Sequence, residues 1–400
     1  MIDHRKLGRE LELFGSDPLI GAGLPIWLPD GAAARYAVES YVRELERRAG
    51  YRHVYSPGMA KPELYRRSGH LPHYADEMFP AMALSADDEL ILRPSLCPHH
   101  AMVFRSRGRS YRELPLRIAE LGVMHRAERS GVLGGLSRVR AVSLNDAHIF
   151  CRPDQVGEEI ARVLAMVRGA HQALGFAPDA YRLSLRGDGD KYVGDEEMWA
   201  MAGQFLRDAL AAAGLPYVEA VGEAAFYGPK IDIQIVDHAG RQSTLATVQV
   251  DLHQPRQFDL SYRDSDGSLQ RPVMVHRSIV GSFERLFAHL IEVHEGAFPA
   301  WYAPVQAVVL PIGEGQLDAA VAFEAECLRA GLRVEVDTEG QLGARIRASA
   351  LRRIPYVAVI GDREAAAGEV SLRRRDGSNI APLPVDEARA LLVSECAPPL

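Results

Sequence analysis

The sequence predicts an α+β fold in which helices pack on an antiparallel sheet, followed by a small α/β domain. The first observation is a pair of apolar runs, one ending at Val123 and one starting at Val139, which predicts two antiparallel strands joined by a loop. The second is a series of strand and helix patterns between residues 153 and 290. The third is a change of pattern after residues 299–304, PAWYAP, beyond which strands and helices alternate as in a parallel sheet.

Composition and charge restrict the class of protein. The 400 residues are 47% hydrophobic and 25% charged, which is typical of a globular chain of two or three domains. The net charge of -7 means that nucleic acid would contact a local basic patch, and we expect no DNA partner. The four cysteines are widely spaced, which argues against a disulfide framework. With neither a targeting segment nor a membrane-spanning run, the sequence predicts a cytoplasmic protein without a membrane partner.

Residues 1–298 are expected to form the first domain. A helix is predicted from Asp30, a favourable N-cap residue, to just before Gly50, a typical C-terminal glycine. A short strand should follow at 53–55, and residues 58–80 are expected to be irregular. Later strands are expected at 89–93, 181–186, 217–220, 231–235, 244–252 and 273–277, and later helices at 153–174, at 196–213 and from 281.

Residues 117–150, here called the central hairpin, carry more charge than a surface turn needs. Its loop is flanked by Arg126, Glu128, Arg138 and Arg140. Asp146 and His148 are two residues apart, so they share one face of a strand. Arginine suits a triphosphate because its planar fork is always charged and binds two oxygens at once. The hairpin is therefore either an anion site or a solvated hairpin with an exposed loop, and the hairpin alone does not decide between them.

Residues 305–400 are expected to form the second domain, after a linker at 299–304. Strands are predicted at 305–310, 332–336 and 356–360, with helices at 316–330 and 342–353. The domain is rich in arginine: Arg345, Arg347, Arg352, Arg353, Arg363, Arg373, Arg374 and Arg375. These arginines are consistent either with solvated helix faces or with an RNA-binding surface. In a chain of negative net charge, such a surface would be a local basic patch.

Cys97, His148 and His276 form a candidate zinc site. One thiolate and two imidazoles are good zinc ligands, and three protein ligands leave a coordination position open for a substrate. Each residue is expected at the end of a strand. Spacing alone does not bring the three together, because single cysteines and histidines usually serve packing or lie at the surface.

Several motifs resemble those of the threonyl-tRNA synthetases, a family of class II aminoacyl-tRNA synthetases. They include DHRKLGRELELF, SGHLPHYADEMF, LRPSLCPHH, YRELPLRIAELGVMHRAE, GLSRVR, DAHIFC, FYGPKIDI, VHRSIVGSFER and LRRIPYVAVIGDRE, which together cover about residues 3–382. The resemblance implies a class II catalytic domain at 1–298 and an anticodon-binding domain at 305–400. It also implies ATP-dependent activation of threonine, transfer to tRNA(Thr), and a homodimer formed through the helix and strand that end at Pro57.

The resemblance also implies roles for individual residues. Zinc ligands would be Cys97, His148 and His276, with one Zn²⁺ per chain. ATP, with Mg²⁺, would contact Arg126, Glu128, Arg138, Gln249, Ser282 and Arg285, of which Arg126 and Arg285 would be catalytic together with His70 in transfer to tRNA. Threonine would contact Asp146, Tyr227 and Lys230, and the anticodon would contact Glu364 and Arg373. Zinc that is chelated by the amine and hydroxyl of threonine would exclude valine, which has the same shape without the hydroxyl.

Four residues depart from the family's pattern. Val142 stands where an aromatic residue should stack on adenine, a contact worth roughly 1–3 kcal/mol by analogy with base–aromatic stacking. Leu144 replaces a glutamine that should help to hold the amino acid or the adenylate. Ala246 replaces a glycine, and Glu339 replaces an asparagine that meets the anticodon. The expected metal ligands are intact, whereas the nucleotide wall and one anticodon contact are altered.

Two alternatives remain open from the sequence. The departures at Val142, Leu144 and Glu339 would suit a synthetase-like paralogue that activates threonine or a related hydroxy amino acid for an acceptor other than tRNA. A non-catalytic RNA-binding or regulatory module is the second alternative, against which the intact ligand and arginine sets argue. The sequence begins at the catalytic lead-in, so we expect no editing region of its own and appreciable charging of serine.

Overall fold

The computed structural model describes residues 2–193 and 196–400, and their contacts divide the chain into two compact units. The larger unit comprises Ser16–Pro25 and Val42–His289. The smaller unit comprises the segment ending at Gly15, together with Ile26–Tyr41 and Leu290–Leu400. Within the described ranges, no helix has the length and apolar character needed to cross a bilayer.

The larger unit is built around a mainly antiparallel sheet, as predicted. Within the described residues this sheet has eight strands. In sheet order they are Tyr217–Val221, Ala180–Leu185, Lys230–Val236, Gln242–Asp251, Val273–Ser278, Ala141–Cys151, Leu116–His125 and Arg52–His53. Only the pairs at the two edges are parallel. The central hairpin forms one of the antiparallel pairs, with Leu116 opposite Phe150 and His125 opposite Ala141.

Helices and minor strands accompany this sheet. The helices are Pro62–Arg67, His70–Tyr74, Cys97–Arg105, Val156–Ala173, Glu196–Ala212 and Gln254–Gln257, while Pro29–Arg48 and Phe283–Val293 contribute to both units. The minor strands are Met59–Ala60, Met82–Ser85, Asp88–Leu92, Tyr262–Arg263 and Leu269–Gln270. The helix Val156–Ala173, which was predicted at 153–174, buries an apolar stripe that includes Ile160, Val163 and Val167.

Three local predictions are wrong. Residues 58–80 are not irregular but hold two short helices, the first of which begins at Pro62, a residue that suits the first helical turn. Asp30 lies inside the first turn of its helix, which begins at Pro29, and is not its N-cap. The expected zinc ligands do not lie at strand ends, because Cys97 begins a helix while His148 and His276 lie within strands.

A fully buried ion pair joins the end of a long helix to the middle of the sheet. Glu46 Oε1 lies 2.7 Å from Arg277 Nη2, and neither side chain is exposed. Asn145 donates a hydrogen bond of 2.7 Å to Glu46, and the Arg277 guanidinium lies over the ring of Tyr51. Because a buried charge without its partner is costly, this pair fixes the two strands that carry His148 and His276 relative to the helix.

We expect Glu46→Ala to lower the free energy of unfolding by about 3–5 kcal/mol, because it leaves the Arg277 charge buried and unpaired. Denaturant titration of the purified chain measures this loss. Glu44→Ala is the control on the same helix, since Glu44 forms surface pairs with Arg47 and Arg48 and its loss should not measurably change stability. Equal stability of the two variants would contradict a structural role for the pair.

The smaller unit contains a mixed sheet that extends the predicted βαβαβ pattern. Within the described residues it has five strands, in the order Val334–Val336, Ala307–Pro311, Tyr356–Ile360, Glu369–Arg374 and Asn379–Pro384. The first three are parallel, as predicted, and the last two, which were not predicted, are antiparallel. The helices are His4–Glu10, Leu317–Arg329, Leu342–Leu351, Asp362–Ala367 and Val385–Glu395. In the expected linker, Trp301 and Tyr302 are buried, and Trp301 packs against Tyr41.

Candidate active site

The loop of the central hairpin is held in a defined shape by its own charged residues. Arg126 N–H donates to the carbonyl of Arg140 at 2.9 Å, which closes the base of the loop. Arg138 Nη2 lies 2.8 Å from Glu128 Oε2 across the loop. The guanidinium of Arg140 donates to the carbonyls of Ala22 and Glu128. Arg140 therefore braces the loop, while Arg126 and Arg138 remain beside the cavity below.

A cavity of about 240 Å³ lies between this loop and the helix that begins at Phe283. Its lining includes Arg126, Glu128, Arg138, Asp146, Tyr227, Gln249, His276, Ser282 and Arg285. Ser282 Oγ caps the helix by accepting from Arg285 N–H at 3.1 Å, and Arg285 donates to the carbonyls of Ser137 and Thr244. Burial and the charge of Arg126 lower the pKa of Arg285 from its ordinary value. Two arginines that line one cavity create a favourable site for an anion.

Gly281 is required for the close packing that shapes this cavity. Its φ is +69°, and a Cβ atom there would lie 2.1 Å from the carbonyl oxygen of Leu245. A larger residue would push apart the strand that carries Gln249 and the helix that carries Arg285.

The sheet brings the expected zinc ligands together. Gln249, His276 and His148 are register partners on three neighbouring strands, so their side chains form a row across one face. Cys97 reaches the same point from the first turn of its helix. The ligand atoms of Cys97, His148 and His276 all lie within 4.8 Å of one another, and all three residues are buried.

The hydrogen bonds around this cluster fit a bound cation. His276 Nε2 lies 2.9 Å from Asp251 Oδ2, so the ring donates to the carboxylate and presents a lone pair at Nδ1. That Nδ1 lies 3.1 Å from His148 Nε2. Two nitrogens that bind one tetrahedral zinc at about 2.05 Å lie roughly 3.3 Å apart, close to the distance seen here. Burial raises the pKa of the Cys97 thiol to about 12, so its thiolate needs a cation beside it. The residues therefore fit Zn²⁺.

Polar side chains that suit the binding of an amino acid lie around this cluster. Tyr227 donates to Gln249 Oε1 at 2.6 Å, and its ring stacks on His276 at 4.8 Å between centroids. Lys230 is paired with the buried carboxylate of Asp232. Burial raises the pKa of Asp146 to about 7, and its Oδ2 lies 3.9 Å from His148 Nε2. These groups could hold an ammonium, a carboxylate and a hydroxyl beside the cation.

A second cavity, of about 630 Å³, adjoins the first and contains His70 and Lys230. The residues shared by both linings are Ser95, Arg126, Tyr227, Thr244, Thr247 and Gln249. Burial lowers the pKa of His70 to about 3, and its Nδ1 lies 2.8 Å from Ser68 Oγ. Two adjoining cavities are therefore lined by the arginines, by His276 of the metal cluster and by a neutral histidine.

The two expected anticodon residues both lie in the smaller unit, Glu364 on a helix and Arg373 on a strand. Glu364 caps its own helix by accepting from Gly361 N–H at 3.1 Å, and it also accepts from Ser371 Oγ at 3.0 Å. Arg373 lies on the strand Glu369–Arg374 and is exposed. Glu364 thus has a structural role that does not require RNA.

The residues that depart from the expected pattern lie in three places. Val142 and Leu144 line the smaller cavity together with Arg126 and Arg285. Ala246 is fully buried opposite Ile233, and its methyl group is accommodated within the sheet. Glu339 is exposed in the smaller unit.

Sequence reasoning missed the partners that orient the site residues. Asp251 and Asp232, which hold His276 and Lys230, were not singled out. Both could have been predicted from the alternation of side chains along a strand. Asp251 shares a strand face with Gln249, and Asp232 shares one with Lys230. The partner of Arg277, Glu46, gave no such signal because it lies 231 positions away on a helix.

Two segments match known families. Residues 82–294 match the tRNA synthetase class II core domain (G, H, P, S and T), and residues 306–395 match an anticodon binding domain. The first match covers more than half of the chain and contains the whole metal cluster and both arginines. The chain belongs to the class II aminoacyl-tRNA synthetases.

Relatives of known name specify the family further. The threonine–tRNA ligase of Staphylococcus carnosus is 47% identical over 98% of this chain and 61% of its own length, and that of Geobacillus kaustophilus has the same values. A crystal structure described as the RNA binding domain of threonyl-tRNA synthetase from Cryptosporidium parvum is 37% identical, with a TM-score of 0.94, and covers 100% of this chain and 99% of that one. The chain is a member of the threonyl-tRNA synthetase family. It spans about three fifths of the length of the curated relatives it matches.

Proposed function

We propose that this chain activates threonine with ATP to form threonyl-adenylate and transfers the threonyl group to tRNA(Thr). The observation that carries the proposal is the smaller cavity, which is lined by Arg126, Arg285 and His276. His276 belongs to the buried cluster that it forms with Cys97 and His148. The arginines supply a site for ATP, and the cluster supplies a site for an amino acid with a hydroxyl. The matched anticodon binding domain favours tRNA over another acceptor, and the matched class II core domain argues against a non-catalytic role.

Cys97, His148 and His276 would hold one Zn²⁺ per chain. When bound, the zinc would supply a Lewis-acidic centre whose open coordination positions accept the amine and hydroxyl of threonine. Tyr227 and Gln249, joined by their hydrogen bond, would fix the position of the substrate next to it. Asp146 would hydrogen-bond the hydroxyl, which distinguishes threonine from valine.

Activation would be a matter of positioning and charge. The threonine carboxylate attacks the α-phosphorus of ATP in line, and pyrophosphate with its Mg²⁺ leaves. Arg126 and Arg285 neutralise the charge that develops on the phosphate oxygens, and Glu128, Arg138, Gln249 and Ser282 complete the nucleotide site. Because the substrates supply nucleophile and leaving group, no protein nucleophile is needed.

Transfer would use His70, which lines the second cavity and whose Nε2 lies 3.9 Å from Cys97 Sγ. Since its pKa is lowered to about 3, the ring is neutral near pH 7 and can accept a hydrogen bond from a ribose hydroxyl of the tRNA terminus. Lys230, held by Asp232, would carry positive charge beside the same cavity. Glu364 and Arg373 would contact the anticodon. A homodimer formed through the helix and strand that end at Pro57, in a cytoplasmic protein, completes the proposal.

Amino-acid-dependent exchange of pyrophosphate into ATP tests the first step, and aminoacylation of tRNA in the same reactions tests the second. We expect exchange and charging with threonine. Exchange without charging would support another acceptor and direct attention to Glu339. No exchange with any hydroxy amino acid would contradict the proposal.

Serine should be activated as well, at an efficiency about 10–200-fold below that of threonine. Serine keeps the hydroxyl and lacks one methyl group, and a pocket discriminates such a difference by only ~1–3 kcal/mol. The ratio of kcat/KM for the two amino acids in pyrophosphate exchange measures this. A ratio above about 10⁴ would show that the methyl group is recognised by something other than pocket fit.

A further inference from the structure

The strongest feature that the proposed mechanism leaves unused is a buried chain of hydrogen bonds behind His148. His148 Nδ1 lies 2.7 Å from His100 Nδ1, and His100 Nε2 lies 3.2 Å from Glu120 Oε2. His148, His100 and Glu120 are all at least 97% buried. We propose that Glu120 and His100 are positioning residues that fix His148 in the tautomer required to bind the metal. This inference rests on the metal site of the proposed function.

The direction of the chain is set at its far end. Glu120 is fixed by Arg93, which donates to Oε1 at 3.1 Å, and by the hydroxyl of Ser56, which donates to Oε2 at 2.6 Å. A carboxylate paired with arginine can only accept hydrogen bonds. His100 must therefore donate from Nε2.

The tautomer then follows from the one proton that each neutral imidazole carries. With its proton on Nε2, His100 can only accept at Nδ1, so His148 must donate from its own Nδ1. The lone pair of His148 is thereby placed on Nε2, the atom that faces His276 Nδ1 at 3.1 Å. We call the hydrogen-bonded chain from Glu120 through His100 to His148 the relay. Without the relay, His148 could place its proton on Nε2 and would then be unable to bind a cation through that atom.

The relay is a second, longer version of the arrangement at His276. There the Asp251 carboxylate accepts directly from Nε2 and leaves Nδ1 as the ligand atom. A histidine stands between carboxylate and ligand in the relay because Glu120 lies on the neighbouring strand, opposite Asp146 rather than His148. Each imidazole ligand is thus oriented by a buried carboxylate, one directly and one through His100.

The test measures zinc affinity, not catalysis. Protein stripped by a chelator is titrated with Zn²⁺ in competition with a chromophoric chelator, and Co²⁺ absorption reports the geometry of the site. We expect His100→Leu to raise the zinc Kd about 10–100-fold, as is typical for the loss of an outer partner of a metal-binding histidine. His100→Gln, whose amide can accept from His148 and donate to Glu120, should restore most of the affinity.

Glu120→Gln is a second variant, in which the new side chain has nearly the same shape as glutamate. It should also raise the zinc Kd, by a smaller factor than His100→Leu does. His99→Leu is the matched control, because His99 is the adjacent buried histidine and packs against Tyr65 without a hydrogen bond to the relay. Unchanged Kd values in folded His100→Leu and Glu120→Gln, with tight zinc binding by the unaltered chain, would overturn the relay alone. Failure of the unaltered chain to bind Zn²⁺ would overturn the metal site and the relay together.

Discussion

Cys97→Ala is expected to abolish stoichiometric zinc binding and to remove the preference for threonine over valine. A site that binds the substrate hydroxyl rejects an analogue without it by about 10⁴–10⁵, whereas pocket shape alone hardly separates two side chains of nearly equal volume. Loss of the thiolate leaves His148 and His276 as the remaining ligands in the described cluster. Zinc content by elemental analysis and the threonine-to-valine ratio of kcat/KM in pyrophosphate exchange measure the two effects.

Cys151→Ala is the matched control for this substitution. Cys151 is fully buried at the end of the same strand that carries His148, and it is outside the ligand cluster. The control should keep its zinc and its discrimination, although it loses some stability through the small cavity that it creates. A Cys97→Ala protein that retains zinc, or that still rejects valine by about 10⁴, would show that hydroxyl recognition does not depend on this cluster.

The sequence predicted the sheet and most of its elements because the signals are local. The central hairpin combines two long apolar runs with a glycine-rich loop, so both strands and their antiparallel pairing follow from residues 117–150. The parallel strands of the smaller unit were predicted for the same reason. Two antiparallel strands were missed. In Glu369–Arg374 the period of two is present but short, with Val370 and Leu372 as its only apolar residues, whereas the proline-containing strand Asn379–Pro384 has no clear period of two.

The candidate site was harder to predict from the sequence, because its residues become neighbours only through the register of the paired strands. Nothing in the sequence states that Gln249, His276 and His148 are opposite one another, and the structure shows that they are. The set of site residues was predicted from the resemblance to a known family, and the geometry supplies the physical reason why these residues belong together. Neither signal indicated His100 or Glu120, whose significance appears only when the hydrogen bonds behind His148 are followed.

In the proposed nucleotide site, the altered wall of the smaller cavity would leave more of the nucleotide binding to Arg285. Val142 is aliphatic and cannot stack as an aromatic ring does, so the adenine would lose a contact of roughly 1–3 kcal/mol by analogy with base–aromatic stacking. Arg285, in contrast, is held in place by the carbonyls of Ser137 and Thr244. A fixed guanidinium needs no reorganisation when charge develops on the phosphate, which is the condition for strong transition-state stabilisation.

Arg285→Ala is therefore expected to lower the rate of threonine-dependent pyrophosphate exchange about 10²–10³-fold, with most of the loss in kcat. Zinc content should not change, since Arg285 is separate from the ligand cluster. Arg285→Lys should recover only part of the activity, because lysine is a point charge and cannot make the two directed contacts with the carbonyls of Ser137 and Thr244. Steady-state exchange at varied ATP concentration separates the effect on kcat from that on KM.

Arg129→Ala is the control for charge alone, because Arg129 is an exposed arginine on the loop of the central hairpin. It removes the same formal charge from the same region of the chain, and it should leave exchange within a few-fold of the unaltered chain because exposed charges are screened by salt. If Arg285→Ala and Arg129→Ala lose activity equally, the loss reflects the general field and not a placed guanidinium. A loss confined to the KM for ATP would instead mean that Arg285 binds the ground state and the transition state equally.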